Sequence, residues 1–126
     1  MAQGFGQDIQ KQSPRVSQLK RKLDGSEDAD LIMMSILEVF KDIEYVPDPG
    51  NYYTFIYYPK TPDIRYDEHP LVAVTEVERW GFRGFNYHWG QMRNYTWQEV
   101  VGACHLVKPD EIEYLRSLPY GKIRTK

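Results

Sequence analysis

The sequence predicts an α+β domain, with helices at both ends and a small curved antiparallel sheet of three to four strands between them. Three observations carry this. Apolar residues recur at helical spacing before residue 42 and after residue 108. Between Tyr52 and Trp89 they alternate, or run together with aromatic and β-branched residues, as in strands. Proline- and glycine-containing turns punctuate the regions between.

Residues 1–14 are polar and rich in Gly and Gln, show no apolar period, and read as a flexible arm ahead of a single domain over 15–126. Val16, Leu19 and Leu23 predict a short helix from Arg15, stopped by Asp24-Gly25. Ser26 is the expected cap of a second helix reaching Lys41, with Glu27, Asp28 and Asp30 in a first turn where the helix dipole favours acids. Its middle, Leu31 to Phe40, is apolar on nearly every side except Ser35 and Glu38. Such a helix is buried on more than one side, in a core or against another chain. Val46-Pro47-Asp48-Pro49-Gly50-Asn51 is a turn.

Strands are predicted over Tyr52–Tyr58, Leu71–Glu78 and Trp80–Trp89. The last places Phe85, Tyr87 and Trp89 on one face and Asn86 and His88 on the other. Gly81 and Gly84 act as bulges or kinks within it, and strands kinked in this way can coil into a partly open, SH3-like barrel. Thr96-Trp97-Gln98-Glu99 has the form of a capping box, which predicts a short helix from Trp97 to about Gly102. Pro109 opens a last helix with Ile112, Leu115 and Leu118 as its apolar stripe.

Charge is segregated along the chain. Residues 1–22 carry five bases against one acid (net +4), residues 23–50 one base against eight acids (net −7), and the remainder ten against nine (net +1). A basic arm ahead of an acidic segment suits an anionic partner or the acidic patch of a neighbouring subunit. The candidate partner-binding residues are therefore Phe5, Lys11, Arg15, Lys20, Arg21 and Lys22, the apolar Met33 and Met34, and the tail residues Lys122, Arg124 and Lys126. Gly81, Gly84, Thr96 and Glu99 are assigned structural roles.

Little points to catalysis. Cys104 is the only cysteine, so no internal disulfide is possible. Asp67 and His69 share a face of an extended segment but fall short of a zinc ligand set, and Cys104 with His88 and Asp67 makes only a generic triad. No cofactor, metal or small-molecule substrate is expected. No apolar run approaches a membrane span, and Met1–Gly6 lacks the pattern of a signal peptide. Nucleic-acid binding is the rival to assembly: Arg79, Arg83 and Arg93 interleave with Trp80, Phe82, Phe85, Tyr87 and Trp89, as in a base-stacking sheet. The pI of about 5.9 argues for at most a weak contact.

The runs Tyr53-Thr54-Phe55-Ile56-Tyr57-Tyr58-Pro59-Lys60-Thr61, Arg65-Tyr66-Asp67-Glu68-His69-Pro70-Leu71-Val72 and Gly81-Phe82-Arg83-Gly84-Phe85-Asn86-Tyr87-His88 resemble small structural proteins of large T-even-type tailed bacteriophages, including those infecting cyanobacteria. The resemblance spans residues 53–97 and brings no catalytic residue with it. It implies a component of the virion, in the tail, baseplate or neck, made in the host cytoplasm. Its partners would be other virion proteins in a large symmetric assembly. The alternative is a nucleic-acid-binding accessory protein of a phage.

Overall fold

The computed structural model describes residues 13–57, 71–87 and 90–118. In chain order it has α1 (Pro14–Leu23), α2 (Ala29–Val39), β1 (Ile43–Glu44), β2 (Tyr52–Tyr57), β3 (Leu71–Val77), β4 (Gly81–Asn86), β5 (Gln91–Thr96), β6 (Val100–Val107), a 3-10 turn (Pro109–Glu111) and α3 (Ile112–Arg116). Among the described residues the fold is α+β. Six strands form one open antiparallel sheet in the order β1-β6-β2-β3-β4-β5, and the helices cover one face. The expected three to four strands are too few: β1, β5 and β6 lie outside the predicted ones.

A short connection sets the shape of the sheet. Only Trp97, Gln98 and Glu99 join β5 to β6, yet these strands stand at opposite ends of the run β6-β2-β3-β4-β5. Four residue steps reach about 14 Å at most, whereas four strand spacings in a flat sheet make about 19 Å. The sheet must roll. The rings show it: Tyr95 of β5 lies 5.3 Å from Phe55 and 5.0 Å from Tyr57 of β2, centroid to centroid. Phe82, Val72, Val74 and Cys104 complete this inner core. β5 and β6 do not pair, so the roll stays open.

The predicted helix at Trp97 is a turn. The Glu99 carboxylate does accept from the Thr96 amide at 3.0 Å, but the Glu99 amide donates to the Thr96 carbonyl, also at 3.0 Å. The buried Thr96 hydroxyl finds no hydrogen-bond partner among the described residues. Val100 and Val101, both β-branched, then favour a strand. β6 carries an irregularity against β2 at Gly102, whose φ of +80° suits a glycine.

β3 slips by one residue against β4 between Val74 and Glu76. Strict alternation would send Glu76 inward; the bulge turns it to solvent and brings Val77 against the inner core. Asn86, expected on the face away from the aromatic core, lies inside the roll instead. It is fully buried and donates to the Tyr95 hydroxyl at 2.9 Å. His88 and Trp89 lie outside the described residues.

The helices form a second core on the outer face of the sheet. Leu19 and Leu23 of α1, Ile32, Met33, Ile36 and Val39 of α2, Phe40 and Leu115 of α3 pack together there with Leu71 and Val107. Ser13 caps α1, its hydroxyl accepting from the Arg15 amide at 3.1 Å, with Pro14 as the first helical residue. Ser13 is buried, so the folded domain includes Ser13 and Pro14, which the expected arm had taken in. Residues 1–12 of that arm lie outside the described residues. Asp28, rather than Ser26, caps α2, accepting from the amides of Asp30 and Leu31 at 3.0 and 3.3 Å. The helix ends at Val39, short of Lys41. The next carbonyl, that of Phe40, lies 2.5 Å from His105 Nδ1; a carbonyl can only accept, so this nitrogen carries the proton.

One buried ion pair ties the two ends of the domain together. Glu111, fully buried, accepts from Arg15 Nε at 3.0 Å and Nη2 at 2.7 Å, from the Ser13 hydroxyl at 2.5 Å and from the Lys108 amide at 2.8 Å. The same guanidinium donates to the Leu106 carbonyl at 3.3 Å and lies over the Phe40 ring at 4.5 Å. Burial alone would raise the Glu111 carboxyl, but the bonds from Arg15, Ser13 and Lys108 outweigh it and hold the group below its ordinary value. A carboxyl depressed in this way stabilises the fold above its unfolded pKa and loses that contribution as the pH falls through its folded value. Glu111→Gln should therefore cost about 1.5–3 kcal/mol at neutral pH. The difference from the unchanged protein should shrink on acidification, as urea denaturation across that range would show.

Gly84 is required by space. A Cβ there would sit 2.5 Å from Val72 Cγ1 and 2.6 Å from the Ala73 carbonyl oxygen, and one at Gly81 would sit 1.9 Å from the Tyr95 carbonyl oxygen. The sequence pointed to a special backbone conformation at Gly84; its constraint is the close passage of β3. Gly84→Val should lower the thermal midpoint far more than Arg83→Ala, whose side chain is exposed. Equal tolerance in a melting experiment would contradict this packing.

Candidate interaction surface

The loop between β1 and β2 is held from beneath. The Tyr53 hydroxyl donates to Glu44 Oε1 at 2.5 Å and accepts from the Asp48 amide at 2.9 Å and from Asn51 Nδ2 at 3.4 Å. Burial, together with the Glu44 carboxylate, pushes this phenol above its ordinary value. The Gly50 amide donates to the Val74 carbonyl at 2.8 Å, the Val74 amide to the Asn51 carbonyl at 3.0 Å, and Pro47 is buried. Prolines 47 and 49 fix φ at both. The backbone from residue 44 to 51 is thereby pinned to β2 and β3.

On its outer side this loop is apolar. Ile43, Tyr45 and Val46 are 46, 73 and 57% exposed, while Glu44 between them turns inward to Tyr53. Large apolar side chains exposed on fixed backbone make a candidate contact site, because each gains by leaving water and little conformational entropy remains to be lost. Sequence reading missed this site. Tyr45 was not singled out, and its place directly before the Val-Pro-Asp-Pro-Gly turn is the only local hint of its exposure.

The residues singled out from sequence fall differently. Arg15 is committed to Glu111 and Asp42 inside the domain, so it is no free cation. Lys20 lies 5.2 Å over the Tyr114 ring, beside an open groove of about 350 Å³ that Ser13 and Ser117 also line. Arg21 is exposed, and Lys22 pairs with Glu38 at 3.0 Å on the surface, where such a pair contributes little. Met33 is buried in the helical core. Met34 stands exposed beside Leu31 on the outer side of α2, so that helix is buried on one broad side and bare on the other. Phe5, Lys11, Lys122, Arg124 and Lys126 lie outside the described residues.

The interleaved arginines and aromatics do not form one platform. Phe82 is buried inside the roll, where Arg93 also turns, donating to the Tyr57 hydroxyl at 3.1 Å. Phe85 and Tyr87 lie on the outer face, and the Arg116 guanidinium covers Tyr87 at 5.3 Å. Arg79, Trp80 and Arg83 are exposed. The two-residue period of β4 and β5 thus divides the row between two faces.

Cys104 is sealed in the inner core, and burial, followed by the Glu44 charge, pushes its thiol up to about 12. At neutral pH it is a protonated core residue rather than a nucleophile. The remaining members of the candidate triad and chelate, Asp67, His69 and His88, lie outside the described residues. Among the described residues no three His, Cys, Asp or Glu side chains group to hold a metal ion, and no helix is long and apolar enough to cross a membrane.

Tyr53→Phe keeps the ring but strands the Glu44 carboxylate and the Asp48 amide. It should cost about 1–3 kcal/mol and speed hydrogen exchange at Asp48. Tyr45→Ser should leave the unfolding free energy from urea denaturation within about 0.5 kcal/mol of unchanged. A Tyr45→Ser protein destabilised as much as Tyr53→Phe would make Tyr45 part of the core rather than a presented side chain.

Comparison with known proteins finds no family model, no curated protein and no solved structure that matches this chain.

Proposed function

We propose that the protein is a non-enzymatic structural component of a tailed phage particle, of its tail, baseplate or neck, which binds neighbouring virion subunits. The observation that carries this reading is the pinned loop with Ile43, Tyr45 and Val46 outside: three exposed apolar side chains on backbone fixed by the Tyr53 hydroxyl. The likeness of residues 53–97 to small T-even-type phage proteins supplies the setting, and Leu31 with Met34 on α2 offers a second contact. The rolled run β6-β2-β3-β4-β5, closed at one end by a three-residue turn, is read as an SH3-like partial barrel with β1 added at its edge.

The test is made on particles. Mass spectrometry of purified virions should find the protein at fixed stoichiometry, and Tyr45→Lys should reduce its incorporation at least about tenfold while the variant still folds. Absence from particles, with expression early in infection, would turn the reading to a nucleic-acid-binding accessory protein.

A further inference from the structure

The loop surface is acidic at its rim. Asp42 and Asp48 flank it, both exposed, with no base between them, and the Asp42 side chain is 67% exposed. β1 is also the edge of the sheet: it pairs with β6 on one side, and among the described residues no strand lies on the other. Ile43 and Tyr45 stand exposed on either side of Glu44, which turns inward to Tyr53, and Asp42 meets Arg15 at 3.5 Å on the helix side.

The C-terminal tail has the complementary pattern. Lys122, Arg124 and Lys126 alternate with Ile123 and Thr125, and residues 119–126 contain no acid. Laid antiparallel with Tyr45 opposite Ile123, this segment brings Ile43 opposite Thr125 and Lys126 to the exposed Asp42. Directly opposed pairs are the unit that stabilises a sheet, so apolar and opposite-charge matches in one register favour that register. We propose that the β1 edge takes the C-terminal tail of a second copy of this chain as an added strand, with Tyr45 and Ile43 packing its apolar side and the acidic rim holding its bases. This rests on the reading of the Ile43–Tyr45–Val46 surface as an interface. Main-chain bonding to an exposed edge supplies affinity in such additions, and the alternating side chains supply selection.

Two full-length variants test it by sedimentation. One keeps the tail and alters the surface (Tyr45→Lys with Asp48→Lys). The other keeps the surface and reverses the tail (Lys122→Glu, Arg124→Glu and Lys126→Glu). The unchanged protein should self-associate with concentration, less so at high salt, and each variant alone should do so at least about tenfold more weakly. Mixing the two should restore a one-to-one complex, because the intact surface of one copy meets the intact tail of the other. A monomeric unchanged protein, a tail-reversed variant that associates normally, or a mixture that stays monomeric, as it would if each tail served its own chain, overturns the proposal. Incorporation into particles separates it from the assembly reading. Loss with the surface variant but not with the tail variant removes the tail and keeps the surface; normal incorporation of the surface variant removes both.

Discussion

Three residues, Trp97 to Glu99, must bridge strands that a flat sheet would hold about 19 Å apart, and most of the fold obeys that demand. Rolling the sheet brings β2 and β5 face to face across a narrow interior. Flat, large side chains suit such a space, and Phe55, Tyr57, Phe82 and Tyr95 meet there edge to face, tilted or stacked at 5.0 to 5.8 Å. The roll also presses β4 between its neighbours, and glycine at 81 and 84 is the consequence. Trp97 Nε1, donating to the Arg79 carbonyl at 2.7 Å, fastens the turn to the β3–β4 hairpin and keeps the short path short.

A rolled sheet leaves its convex face to be covered, and the helices are held there by charge as well as by apolar contact. Arg15 reaches from α1 to Glu111 beside α3 and to the Leu106 carbonyl of β6, so one guanidinium joins α1 to two elements more than ninety residues on. A buried pair of this kind need not add net stability over an apolar substitute, but once present neither half can be removed alone. It also consumes a cation that the charge pattern had offered to a partner. Lys22 is partly consumed in the same way by Glu38. The segregation of bases and acids along the first fifty residues is therefore in part an internal match between the bases of α1 and the acids of the 23–50 segment.

The sequence made the fold class legible where periodicity was strong. Val16, Leu19 and Leu23 mark the buried side of α1, and Tyr52 to Tyr57 and Leu71 to Val77 are strands as their patterns require. It misled at Thr96–Glu99, because a carboxylate three residues on can bond the same amide in a turn as at a helix start. The β-branched pair at Val100 and Val101 decides between them, together with the pull of β2 on β6, a long-range contact with no local signature. The bulge at Thr75–Glu76 was hidden for a similar reason, since alternation assumes unbroken register. The candidate interaction surface was least legible of all. Burial of an aromatic cannot be read from its type, and Tyr53 and Tyr45, alike in sequence, serve as the buried support and the exposed tip of one loop.

That division of labour bears on how an assembly would form. A surface whose backbone is already fixed gives up little entropy when a partner arrives, so even a small apolar patch can contribute to association. On the proposed contact each copy offers one edge and one tail, and the two are different surfaces. Such a contact is heterologous: it does not close on itself as a twofold pair does, but passes from copy to copy, ending in a ring if the rotation between neighbours closes and in an open chain if it does not. A single strand addition with a few ionic pairs is weak and sensitive to salt. Repeated around a closed ring, or templated on a surface that sets the rotation, the same contact gains from effective concentration with no new bond required. Local weakness would thus keep free copies apart at low concentration and leave assembly to the partner that gathers them.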